Sequence, residues 1–175
     1  MSTSPRILTI MGSGETAPTM MKHHRELIAR FPGTPKAVVL DTPYGFQENS
    51  AELASKAVEY FRKSVGHPIE IAGLTRLHGQ DTLTVEQGLA RVRQADYVFA
   101  GPGSPTYALR QWAGSSVPDI VRGKMRTGGA VTFASAAIAK VIAIINSVFT
   151  EPPKKYICNS GNIQRVSKAG LVIMF

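Results

Sequence analysis

At 175 residues and 43% hydrophobic content, the chain is long enough for one domain with a real core. Its formal charge of +8 is unevenly spread: residues 1–137 carry 15 Lys/Arg against 11 Asp/Glu, whereas residues 138–175 carry 5 against Glu151 alone. No stretch gathers Lys and Arg on one helical face between aromatics, no apolar run is long enough to span a bilayer, and a lone Cys158 excludes a disulfide framework or a multi-cysteine zinc site, so neither nucleic acid nor membrane nor metal is expected, and a cytoplasmic protein is.

Strand and helix patterns alternate along the body. Arg6 to Met11 is a buried apolar run closed by glycine. Pro18 to Phe31 follows with Met21, Leu27, Ile28 and Phe31 at helical spacing, and His23 and His24 read there as solvated residues of a surface helix. Lys36 to Asp41 is a second strand. Asn49 with Glu52 forms a capping pair ahead of the Leu53, Ala57, Tyr60 and Phe61 face. Ile69 to Leu74 reads as a third strand, and Thr84 with Gln87 caps the next helix. Tyr97 to Ala100 is the fourth strand, Pro105 to Ala113 and Val117 to Arg126 are short helices, and Ala130 to Ala134 is the fifth strand. Strands separated by helices need crossovers, so the chain reads as an α/β fold with a doubly wound, mainly parallel sheet and helices on both faces.

In such sheets the ligand site lies at the carboxyl ends of the strands. Three of those ends are informative: Gly12-Ser13-Gly14-Glu15-Thr16-Ala17, Gly101-Pro102-Gly103-Ser104, and Ser135 flanked by Ala134 and Ala136. Glycines there let backbone N–H groups approach a ligand. A serine between a strand and the apolar helix pattern Ile138 to Ile145 has the placement of a nucleophile on a sharp turn, although the same pattern also suits a helix-capping serine. Each glycine loop alone is equally well a tight turn.

Taken together, the three motifs resemble the class I glutamine amidotransferase-like superfamily, in its serine-peptidase branch of cyanophycinase and aspartyl dipeptidase. The resemblance runs through about residue 137. It implies a flavodoxin-like sheet, Ser135 as nucleophile, and an oxyanion hole from the N–H groups of Gly101, Gly103 and Ala136. Gly12, Gly14 and Glu15 would hold a small peptide or amide substrate, with no cofactor. Two departures stand out. Phe133 and Ala137 occupy the two glycine positions of the family's Gly-x-Ser-Ala-Gly elbow. The family places a histidine and then an acid after the nucleophile, whereas His23, His24, His67 and His78 all precede Ser135. With no base paired to it, a serine hydroxyl is a weak nucleophile, so the hydrolase reading carries the expectation of low or absent activity.

Residues 1–145 therefore read as an amidotransferase-like domain and residues 146–175 as a divergent basic tail. The tail lacks the strand–helix rhythm, contains Pro152-Pro153-Lys154-Lys155, and ends in the apolar run Leu171 to Phe175. It reads as truncated or altered relative to longer family members, with Leu171 to Phe175 either pairing with a sheet edge or promoting self-association. Two further readings stay open. Gly12-x-Gly14-x-x-Ala17 followed by Asp41 fits an NAD(P)-binding Rossmann fingerprint, with Asp41 on the ribose. A non-catalytic interaction protein of the same fold is the other. Asp41 to Gly45 reads as a pocket rim or a plain turn, and Trp112 as packing behind the Gly101 loop.

Overall fold

A computed structural model describes residues 4–12, 14–134 and 171–174. Among the described residues six strands, β1 (Arg6–Met11), β2 (Ala37–Leu40), β3 (Glu70–Ile71), β4 (Tyr97–Ala100), β5 (Gly129–Ala134) and β6 (Leu171–Met174), form one sheet in the order β3-β2-β4-β5-β1-β6. Each neighbouring pair runs parallel. Such a sheet must be covered on both faces, and β2, β4 and β5 are buried at every residue.

The helices α1 (Met21–Ile28), α2 (Ser50–Tyr60), α3 (Thr82–Gln94), α4 (Pro105–Trp112) and α5 (Val117–Thr127) connect these strands. From β1 the chain steps one way to β2 and β3, then reverses to β4, β5 and β6. Right-handed crossovers place the first two helices on one face and the later three on the other. The two apolar cores agree. Ile7, Met11, Tyr97, Phe99 and Ala130 pack with Leu27 of α1, Ala54 and Ala57 of α2, and Phe61. Leu8, Ile10, Val98, Val131 and Phe133 pack with Leu89, Val92, Ala108, Trp112 and Val121 of α3–α5. The fold is α/β and flavodoxin-like, doubly wound around a parallel sheet, as the strand–helix alternation implies.

Local chemistry moves several boundaries. The third strand shortens to two residues. Asp81 caps α3 by accepting from the N–H groups of Leu83 (2.9 Å) and Thr84 (3.3 Å), which puts Thr84 inside the helix. Asn49 precedes α2 with no side-chain cap bond. Ser104 caps α4, its Oγ accepting from Tyr107 N at 3.2 Å, with Pro105 opening the helix. Trp112 lies against Phe133, ring centres 6.2 Å apart, beneath β5. The apolar run at residues 171–174 pairs with β1 as an edge strand; residues 146–170 lie outside the described residues. Among the described residues no helix is long and apolar enough to cross a membrane.

Candidate active site at the carboxyl edge of the sheet

The strand order brings the three informative strand ends, those of β4, β5 and β1, side by side, with the end of β2 beside β4. Their register is level, with Met11 opposite Ala134 and Ala100 opposite Phe133. Gly12 and Gly101 therefore leave the sheet on either side of the end of β5. Ser135 and Ala136 lie outside the described residues; the strand that leads to them ends at Ala134 between those two glycines. Neighbouring strands whose crossovers leave to opposite faces open a crevice at this edge, and β2/β4, followed by α2 and by α4–α5, is such a pair.

The first loop turns at Gly14, whose φ of 89° suits glycine, and closes with Ala17 N donating to Gly14 O at 2.7 Å. Two side chains fix its carbonyls. His24 Nε2 donates to Glu15 O at 2.7 Å and Tyr60 Oη donates to Ala17 O at 3.2 Å. His24 is completely buried, correcting the expectation of a solvated residue. Its ring sits edge-on to Tyr60, Phe61 and Phe99, and its Nδ1 accepts from Tyr97 Oη at 3.2 Å. That pair of bonds requires the neutral ring with the proton on Nε2. Burial drives its pKa down. A base with a lowered native pKa loses stability as pH falls below its ordinary value near 6.5, because the unfolded chain then binds the proton that the core refuses. Melting temperatures between pH 7.5 and 5 should decline in the wild type and more shallowly in His24→Asn.

Glu15 is 6% exposed, and burial raises its carboxyl pKa while the N–H groups of Glu15 and Gly14 pull the other way. Its charge is felt at two phenols, Tyr44 and Tyr60, whose own proton loss burial and Glu15 together make harder.

The loop after β2 is sewn to the end of β3. Asp41 Oδ1 accepts from Leu74 N at 2.7 Å, and Thr42 Oγ1 donates to Leu74 O at 2.6 Å. Asp41 is 2% exposed, so its carboxylate faces inward to backbone rather than outward to a ribose, and a 3-10 turn at Pro18–Met20 separates the first loop from α1. Both observations weaken the dinucleotide reading. Gly45 and Gly101 are glycine for want of space: a Cβ on Gly45 would stand 1.9 Å from Thr75 O, and one on Gly101 would stand 1.7 Å from Tyr44 Oη. Gly103 lies against Pro43, whose carbonyl accepts from Ser104 N at 3.0 Å. The Gly101–Ser104 loop is thus seated on Pro43 and Tyr44. At the rim, half-exposed Phe46 meets Tyr107 at 6.1 Å.

The remaining histidines are placed elsewhere. His67 precedes β3 at the opposite edge and its Nε2 donates to Pro35 O at 2.9 Å. His78 follows β3, three strands from β5, where its N–H donates to Gln111 of α4. His23 lies 3.8 Å from Glu26 on α1. Clefts of about 360 and 470 Å³ open at the amino edge, where Lys124 has its Nζ on the carbonyls of Arg93 and Ala95 at the end of α3. Among the described residues no cluster of His, Cys, Asp or Glu could hold a metal. Two phenols stand at this edge, Tyr44 Oη against Gly101 and Tyr60 Oη on Ala17 O, and their sequence positions gave no sign of it.

No family model matches the chain, and no curated protein matches it. Among solved structures it is similar to a crystallised peptidase from an acI-B1 actinobacterium, with a TM-score of 0.60 at 17% sequence identity. That likeness covers 74% of this chain and 53% of the peptidase, so this chain spans about half of that protein's length. At this identity the likeness establishes the shared fold.

Proposed function

We propose that the carboxyl edge is the site of a serine peptidase or amidohydrolase, with Ser135 as nucleophile. The observation that carries this reading is the level register that sets the end of β5 between the Gly12 and Gly101 loops. Ser135 Oγ would attack a substrate carbonyl, and the oxyanion would be met by the N–H groups of Gly101, Gly103 and Ala136. Ser104 N is already committed to Pro43 O, which leaves the two glycines as that loop's donors. Gly12, Gly14 and Glu15 would line the substrate side. The fold shared with a peptidase supports the class of chemistry.

A second reading, a non-catalytic interaction protein on the same fold, is favoured by the histidines: none of the four is held at the end of β5 with a free ring nitrogen. A fluorophosphonate probe separates the two. Labelling of the wild type that disappears in a folded Ser135→Ala variant is the expected result. Labelling that survives that substitution would remove Ser135 from the mechanism, and an unlabelled wild type would establish the non-catalytic reading.

A further inference from the structure

We infer that His24 is a positioning residue for the loop after β1: its neutral ring latches the Gly14–Ala17 turn onto the core, and taking up a proton releases it. The inference rests on this loop lining the site at the carboxyl edge and adds how that site is regulated. The chain itself brings the parts together. From Ala17 the 3-10 turn Pro18–Met20 runs straight into α1. His24, in the first turn of that helix, reaches back nine residues to place Nε2 2.7 Å from Glu15 O. Tyr60 of α2 holds the other end through Ala17 O at 3.2 Å, and between the two holds Ala17 N closes on Gly14 O at 2.7 Å.

The surroundings of the ring make this hold conditional on charge. Nε2 donates to the carbonyl and Nδ1 accepts from Tyr97 Oη at 3.2 Å, so the neutral ring is satisfied on both sides. The rings of Phe61, Phe99 and Tyr60 stand around it with centres 4.9, 5.6 and 5.8 Å away. A second proton, on Nδ1, would force the Tyr97 hydroxyl to accept instead of donate. It would also leave a buried imidazolium with no carboxylate on either nitrogen. Lifting the loop opens Nε2 to water, which solvates the charge. Among the described residues the other titratable groups around the ring supply no anion. On α1 itself His23 repels a charge there, and Arg25 has its guanidinium on the carbonyls of Ser64 and Val65. α2 and β4 contribute the phenols of Tyr60 and Tyr97, both made harder to ionise by burial. The loop's own acid, Glu15, gives the ring its main-chain oxygen. Burial raises its carboxyl pKa, so acid favours the closed loop on its account and cannot imitate the release.

Amide hydrogen exchange of the full chain at pH 7.5 and pH 5, expressed as protection factors, tests the latch. A ring that protonates near 6.5 with the loop open, and not at all with it closed, makes opening about 30-fold easier across this range. Protection at Ala17 N should lie below that of the β4 amides, which report global unfolding, and should fall by that factor in the wild type. His24→Gln keeps a donor for Glu15 O and cannot titrate, so its Ala17 protection should stay level. Tyr60→Phe removes only the second hold. It should lower Ala17 protection about fivefold at both pH values and keep the wild-type slope, and it serves where His24→Gln does not fold. Ala17 protection that changes less than about threefold with pH in the wild type, or that equals β4 throughout, overturns the latch. So does an equal fall in His24→Gln, or a Tyr60→Phe chain without the slope. Fluorophosphonate labelling of the wild type at pH 7.5, run alongside, reports Ser135 independently. Labelling with level Ala17 protection would sink the latch and leave the serine reading standing. A pH-dependent Ala17 in an unlabelled chain would sink the serine and keep the latch.

Discussion

Gly45→Ala should be among the most destabilising single substitutions in the chain, at about 3 kcal/mol, with a fall of roughly 6–12 °C in melting temperature. The glycine's φ of −62° would suit alanine, so conformational strain is not the cause. The obstacle is contact between two backbones. A Cβ would stand 1.9 Å from Thr75 O and 2.7 Å from Thr75 C, neither of which can swing away as a side-chain tip could. Relief requires parting the turn after β2 from the segment after β3, and that seam also holds the Asp41–Leu74 and Thr42–Leu74 hydrogen bonds. Gly123→Ala supplies the contrast. It lies inside α5 with nothing within 4 Å of an added Cβ, and there the better helix propensity of alanine should raise stability by up to about 1 kcal/mol. Thermal melts of the two variants beside the wild type check both signs. Equal stability of Gly45→Ala and wild type would show that the seam gives way easily.

Hydrolysis of aspartyl dipeptides is expected to be slow, about 10²–10⁴-fold below what the same site would reach with a paired base. His24 has both ring nitrogens committed inside the core, His67 is at the far edge of the sheet, and His78 is tied by its backbone to α4. The carboxyl of Asp41 is spent on Leu74. A serine here would act with oxyanion donors and little proton transfer. Initial-rate measurements with purified chain and with Ser135→Ala decide the point. Fast turnover that Ser135→Ala abolishes would mean that a base reaches the serine from elsewhere in the chain, and the account of the histidines would fall.

The sheet was legible because its strands are continuous apolar runs bounded by Gly, Pro and Asp, the signature of strands buried on both faces. Glycines mark the carboxyl ends of β1 and β4, where the proposed site lies. What the sequence hid was tertiary. His24 lies on the same helical stripe as Leu27, but its nature as a core residue depends on Tyr97, 73 residues away, which offers the hydroxyl its ring needs. Tyr44 looked like part of a Pro-Gly turn, and only the crossing of β2 and β4 loops shows that its hydroxyl fills the space a side chain at Gly101 would take. Asp41 fitted a ribose ligand by spacing alone, because spacing carries no information about which way a carboxylate turns. The helix α3 begins earlier than its Thr84–Gln87 pair suggested because Asp81, with a charged carboxylate, offers two oxygens to the first free N–H groups.

The position of β1 has a temporal consequence. β1, the first strand of this sequence, sits between β5 and β6, with Arg6 opposite Gly129 and Leu8 opposite Leu171. β2 and β3 can pair as soon as both are made, and β4 soon after, whereas β1 must wait for β5, whose Gly129 faces Arg6. Such distant pairings carry a heavy loop-closure cost and slow the search for the native state. Until then β1 is an apolar strand with both hydrogen-bonding edges open, exposed to chaperones and to misassembly.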